Sequence, residues 1–79
     1  MSNNPMAVVH EARRANLRLL AAKYDGPHNL ADKLRYSRSF LSQLIGKNPS
    51  RDIGERTARA IETKLSLPMG WLDTARVSQ

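Results

Sequence analysis

Leu30-Ala31-Asp32-Lys33-Leu34-Arg35-Tyr36-Ser37-Arg38-Ser39-Phe40-Leu41-Ser42-Gln43-Leu44-Ile45-Gly46 reads as two short helices meeting at a tight turn. The first helix runs from Pro27 or His28 to about Arg35, and Leu30, Ala31 and Leu34 share one of its faces. Ala31 is the informative member, because a methyl among larger apolar neighbours lets a second helix cross closely. Tyr36-Ser37 forms the turn, and the Ser37 hydroxyl suits an N-cap for a helix from Arg38 to about Ile45. The inward face of that helix is Leu41, Leu44 and Ile45, and Gly46 ends it.

Upstream, Val9, Ala12, Asn16, Leu17, Leu20, Ala21 and Tyr24 recur at three- and four-residue steps, with Glu11, Arg14, Arg18 and Lys23 largely off that face. This predicts an amphipathic helix ending at Asp25-Gly26-Pro27, where Gly26 supplies a positive φ and Pro27 opens the next helix. Residues 1–7, polar and aperiodic, read as a flexible tail. Downstream, Lys47-Asn48-Pro49-Ser50-Arg51 is a loop, and Asp52-Ile53-Gly54-Glu55 has the form of a capping box. A fourth helix follows, with Ala58, Ile61 and Leu65 inward and Arg56, Arg59, Glu62 and Lys64 mainly toward solvent. Leu67-Pro68-Met69-Gly70-Trp71-Leu72 predicts a last helical turn begun at Pro68, with Trp71 and Leu72 in the core or at a subunit interface. The expected fold is all-α: a compact bundle of about five helices over residues 8–73, with residues 74–79 a C-terminal tail.

Seventy-nine residues form one small domain, which rarely has room for a core and a walled catalytic pocket together. No cysteine is present, so disulfides, thiolate nucleophiles and thiolate metal sites are excluded. His10 and His28 lack partners at metal-ligand spacing, and no nucleophile elbow or catalytic triad pattern occurs. The sequence therefore predicts no enzyme, cofactor, metal or small-molecule ligand. No apolar run approaches the roughly 18 to 20 residues of a membrane span, and the start lacks the pattern of a signal peptide. A soluble, cytoplasmic protein is expected.

Thirteen Lys and Arg against seven Asp and Glu leave a net charge of +6. Between Asp32 and Asp52 no acidic residue occurs, while Lys33, Arg35, Arg38, Lys47 and Arg51 all fall there. The positive field thus coincides with the two short helices and the loop after them. In that arrangement one helix crosses a duplex backbone while its partner enters the major groove.

These residues resemble the DNA-binding domains of lambda-type phage repressors and the related Cro-like regulators. Asn16-Leu17-Arg18, Leu30-Ala31-Asp32-Lys33-Leu34, Ser37-Arg38-Ser39-Phe40-Leu41-Ser42 and Gly46-Lys47 are similar to the first three helices of that family. Ile53-Gly54-Glu55, Ala58-Arg59, Ile61-Glu62 and Gly70-Trp71-Leu72-Asp73 resemble its closing segment, so the likeness covers about residues 13–73. Two positions depart from the pattern: Arg35 stands where the family often has Gly, and Tyr36 where a small aliphatic residue is usual. A positive φ at Arg35 would carry a steric cost at Cβ.

The resemblance implies a lambda-repressor-like helix-turn-helix and a homodimer whose two reading helices lie about one DNA turn apart, ~34 Å, on a pseudopalindromic operator. It places base reading on Arg38, Ser39, Ser42 and Gln43, with Phe40 at the edge. The chemistry agrees, since Arg offers two donors to guanine, Gln pairs with adenine and serine hydroxyls serve either role. Lys47, Asn48, Ser50 and Arg51 would reach phosphate from the loop, Arg35 from the turn, and His28 and Asn29 from the start of their helix. The implied function is a sequence-specific transcriptional regulator of phage or prophage type, acting as a repressor on double-stranded DNA. An antitoxin that also binds DNA is an alternative within the fold. A basic helical RNA-binding module is another, although only four aromatics, Tyr24, Tyr36, Phe40 and Trp71, are present for base stacking.

Overall fold

A computed structural model describes residues 5–75, and all regular structure among them is helical. The order is α1 (Pro5–Lys23), α2 (Pro27–Leu34), α3 (Arg38–Ile45), α4 (Glu55–Lys64) and a single 3-10 turn, Trp71–Asp73. The expected fifth helix is thus only that turn. Left-handed Gly70 interrupts the segment begun at Pro68, leaving bonds from Trp71 N–H to Pro68 O and from Asp73 N–H to Gly70 O. At the other end, residues 5–7 were expected in a flexible tail but belong to α1. Proline opens a helix without loss because its missing N–H would be one of the unpaired first-turn donors. Residues 1–4 and 76–79 lie outside the described residues.

Three helices end in the same way, each through a left-handed residue that is not glycine. Asp25 (φ 66°) ends α1, Arg35 (φ 61°) ends α2 and Ser66 (φ 58°) ends α4. In each case the next N–H reaches back five residues: Gly26 to Ala21 O at 2.7 Å, Tyr36 to Ala31 O at 2.9 Å and Leu67 to Glu62 O at 2.8 Å. This backbone pattern satisfies carbonyls that the helix itself leaves open, and it reverses the chain within two residues. At the first of these ends Asp25 takes the left-handed position, and Gly26 directly after it has the positive φ expected there. Gly26 follows at φ 126°, ψ 159°, a region only glycine adopts freely.

The core joins Leu17, Leu20 and Ala21 of α1 to Leu30, Ala31 and Leu34 of α2. Leu41 and Leu44 of α3, Ile53, Ala58 and Ile61 of the α4 segment, and Leu72 complete it. Leu72 is fully buried and Trp71 packs half-buried against the same cluster, so the choice between core and interface resolves to core for Leu72.

Buried polar groups pin the 3-10 turn in place. Asn16, 1% exposed, donates to Leu72 O and Thr74 O, both at 2.8 Å. Glu62 was expected to face solvent, yet it is 2% exposed. Its carboxylate accepts from the N–H groups of Gly70 (3.0 Å) and Leu72 (2.9 Å), so burial is compensated by hydrogen bonding. The expected capping box does not form: Gly54 is the N-cap residue of α4 and no side chain caps it. Asp52 instead pairs with His10 at 3.2 Å and Arg14 at 3.4 Å, and Glu55 with Arg13 at 2.8 Å. Cations of α1 draw both carboxylates away from the backbone they were expected to cap.

Candidate nucleic-acid interface

Every backbone group at the ends of α3 that needs an outside partner on its carboxyl side has one. At the amino end, Ser37 Oγ accepts from Phe40 N–H at 3.0 Å, an N-cap on the residue the sequence singles out. At the carboxyl end the last four carbonyls belong to Ser42, Gln43, Leu44 and Ile45. Ser42 O accepts from Gly46 N–H at 2.7 Å, and Gln43 O from Ser50 N–H at 2.9 Å and Arg51 N–H at 3.2 Å. Leu44 O accepts from Arg14 Nε at 2.9 Å, and Ile45 O from Arg18 Nε at 3.1 Å. The same guanidinium groups continue into the loop, Arg14 to Arg51 O at 3.0 Å and Arg18 to Gly46 O at 3.0 Å.

Gly46 ends α3 for a reason other than a left-handed turn. Its φ is −68°, and a Cβ there would overlap the Ser42 carbonyl oxygen. Close backbone approach, rather than conformational freedom, requires glycine at this position.

With Leu41 and Leu44 committed to the core, α3 leaves Arg38, Ser39 and Ser42 exposed and Gln43 half-exposed. Those four are the residues for which base reading is expected. Phe40 is differently placed: half-buried against the core, its ring meets Tyr36 edge-on at 5.1 Å and lies 5.5 Å from the Arg51 guanidinium. Tyr36 is in turn covered by Lys64, whose ammonium sits 4.2 Å from its ring centre and donates to Leu34 O at 2.9 Å. Partial burial raises the Tyr36 hydroxyl pKa above its ordinary value.

Among the remaining candidates, Arg35, Lys47, Asn48, Ser50 and Arg51 are exposed along the turn and the α3–α4 loop. His28 and Asn29 are exposed in the first turn of α2, where no side chain caps the backbone, and Asn29 makes one long contact to Asp25 O at 3.5 Å. A groove of about 420 Å³ brings His28, Arg38 and Ser42 to one place, lined also by Arg18, Ala22 and Ile45. The groove thus joins His28 of α2 to Arg38 and Ser42 of α3, while Ser50 and Arg51 of the loop are held to Gln43 O at the end of α3.

Sequence reading missed Arg14 and Arg18, which it left to the polar side of α1. Their four-residue spacing was the available signal: it aligns two long donors on one helix face. Carbonyl capping by these arginines also suits the partial negative charge at a helix carboxyl end.

No family model matches the chain, and no solved structure matches it. Over 68 residues it is 34% identical to the prophage repressor CohE of Escherichia coli strain K12. That alignment covers 86% of this chain and 30% of the relative, so the chain spans under a third of the relative's length. Within the aligned stretch, the chain belongs to the phage repressor-type helix-turn-helix family.

Proposed function

We propose that the chain is a sequence-specific double-stranded DNA-binding regulator that represses transcription by occupying an operator, working in the cytoplasm as a homodimer. In this reading α2, the turn and α3 are the helix-turn-helix. Arg38, Ser39, Ser42 and Gln43 read base edges, with Phe40 at the margin. His28, Asn29, Arg35, Lys47, Asn48, Ser50 and Arg51 supply phosphate contacts that position the helix without specifying sequence.

One observation carries the proposal: an eight-residue helix, tied at both ends, exposes Arg38, Ser39 and Ser42 inside a stretch with five cations and no acid. An arginine at the start of such a helix can place two donors on guanine, and a half-exposed glutamine one turn later can pair with adenine. The kinship with a prophage repressor supports the same chemistry. Among the described residues no helix is long and apolar enough to cross a membrane.

Selecting bound fragments from random duplex DNA with the purified chain tests the proposal. The expected product is a pseudopalindrome with half-sites about one helical turn apart. Single-stranded RNA outcompeting every selected duplex would overturn it.

A further inference from the structure

We infer that Arg14 and Arg18 are positioning residues for the base-reading helix: they set the axial register and exit direction of α3 from a neighbouring helix, and thereby govern sequence discrimination without touching nucleic acid. The inference rests on the DNA-binding reading above for its consequence, though not for its geometry.

An α-helix leaves its last four carbonyls without internal partners, and water or a tightening turn usually satisfies them. In α3 two of the four are taken by loop N–H groups and the other two, Leu44 O and Ile45 O, by arginines of α1. Arg14 then bridges the corner between α3 and the loop, from Leu44 O to Arg51 O, and Arg18 clamps the consecutive carbonyls of Ile45 and Gly46 at the helix end. A planar fork with several fixed donors can bridge two acceptors at set angles, which an ammonium on a flexible stem does less well. Arg14 is further oriented by Asp52, 3.4 Å away, which His10 contacts from one turn earlier on α1.

The helix being held is short, and two of its proposed reading residues lie in its second half. Ser42 and Gln43 directly precede the carbonyls that the arginines engage. Their own carbonyls accept at the same corner, Ser42 O from Gly46 N–H and Gln43 O from the N–H groups of Ser50 and Arg51. Loss of either fork releases one of the last two carbonyls of an eight-residue helix, and a bidentate base contact tolerates little displacement.

The test uses Arg14→Ala, Arg18→Ala and the conservative Arg18→Lys in the full chain, with two readouts. The first needs no DNA. Amide hydrogen exchange at Gly46, Ser50 and Arg51 should accelerate at least about tenfold in the alanine variants, while α4 amides stay unchanged and Arg18→Lys falls between. The second compares the selected duplex with a scrambled one across salt concentrations. The ratio of the two affinities should fall about tenfold, while the slope of log affinity against log salt stays that of the parent. A slope shallower by about one unit per arginine would make them phosphate contacts and overturn the inference. Unchanged exchange, or faster exchange with an unchanged affinity ratio, would overturn it too. A parent chain with no preference for any duplex would instead sink the DNA-binding reading, and exchange alone would then decide whether the forks hold α3.

Discussion

Arg13 Nε donates to Asp73 Oδ1 at 2.6 Å across 60 residues of sequence, linking the middle of α1 to the 3-10 turn at the other end of the described chain. Arg13 is 2% exposed, and its other donors go to Ile53 O at 2.9 Å and Glu55 at 2.8 Å. Arg59 also reaches Asp73 Oδ1, at 2.8 Å. The hydrogen bond from Arg13 chiefly holds the Asp73 carboxyl below its ordinary pKa of 3.8, partly opposed by burial and reinforced by Arg59. A depressed carboxyl contributes stability that is present above its unfolded pKa and lost as pH falls through the lower folded value. Asp73→Asn should therefore cost about 2 to 3 kcal/mol at neutral pH, because it leaves a buried guanidinium short of a counter-charge. Urea titrations of the parent and the variant should converge as pH falls through the folded-state pKa of Asp73, which lies below 3.8, because the parent then loses the carboxylate too. A gap independent of pH would show that packing, not the ion pair, holds the turn.

Ser37 is the side-chain N-cap of α3, through the 3.0 Å bond from Phe40 N–H to its hydroxyl. Ser37→Ala should lower stability by about 1 kcal/mol, whereas Ser37→Asp should retain most of it. Thermal unfolding of the three proteins measures this, and equal midpoints would mean water replaces the cap.

Arg35 occupies the left-handed position at the end of α2, at φ 61° and ψ 37°. The Cβ penalty there is about 1 kcal/mol or more, offset in part by the greater freedom of a glycine in the unfolded chain. Arg35→Gly should thus stabilise the fold by about 0.5 kcal/mol, although it removes a cation. In the proposed role at phosphate, the same variant should bind duplex more weakly and with a shallower salt slope. Stability and binding moving in opposite directions is the expected signature, read by urea unfolding and by binding at two or more salt concentrations. A loss of stability would show that the Arg35 side chain contributes to packing.

Local rules carried most of the fold. Ser37 and Gly46 bracket α3 at the bounds read from sequence, Asn16 falls on the buried face its spacing assigns, and Ala31 sits fully buried in the core next to Leu30. What escaped was long-range. Arg13 and Glu62 are charged residues whose burial depends on partners elsewhere in the chain, the nearest acceptor of Arg13 lying 40 residues away, and helical periodicity carries no trace of such partners. The Asp52 and Glu55 spacing fits a capping box, but Arg14 and Arg13, more than two turns into α1, offer stronger electrostatic partners than a neutral N–H group. Of the candidate interface, the exposure of Arg38, Ser39 and Ser42 was legible from the positions of Leu41 and Leu44 on the opposite face. The two arginine forks behind α3 were not, since on α1 alone they read as solvent-facing cations.

Arg38 and Lys47 are both exposed cations, one at the first position of α3 and one just past its end, and the proposed function assigns them different work. A side chain that reads a base edge loses discrimination at one base pair when removed, whereas one that meets phosphate loses affinity for every sequence. Arg38→Ala should therefore lose about 1 to 3 kcal/mol of preference at a single position of the selected site. Lys47→Ala should weaken selected and scrambled duplexes alike and reduce the salt slope by about one unit. Binding measured on a set of single-base variants of the site, at two salt concentrations, separates the two outcomes. If Arg38→Ala weakens all duplexes equally, Arg38 is a phosphate contact, and base reading must rest on Ser39, Ser42 and Gln43 alone.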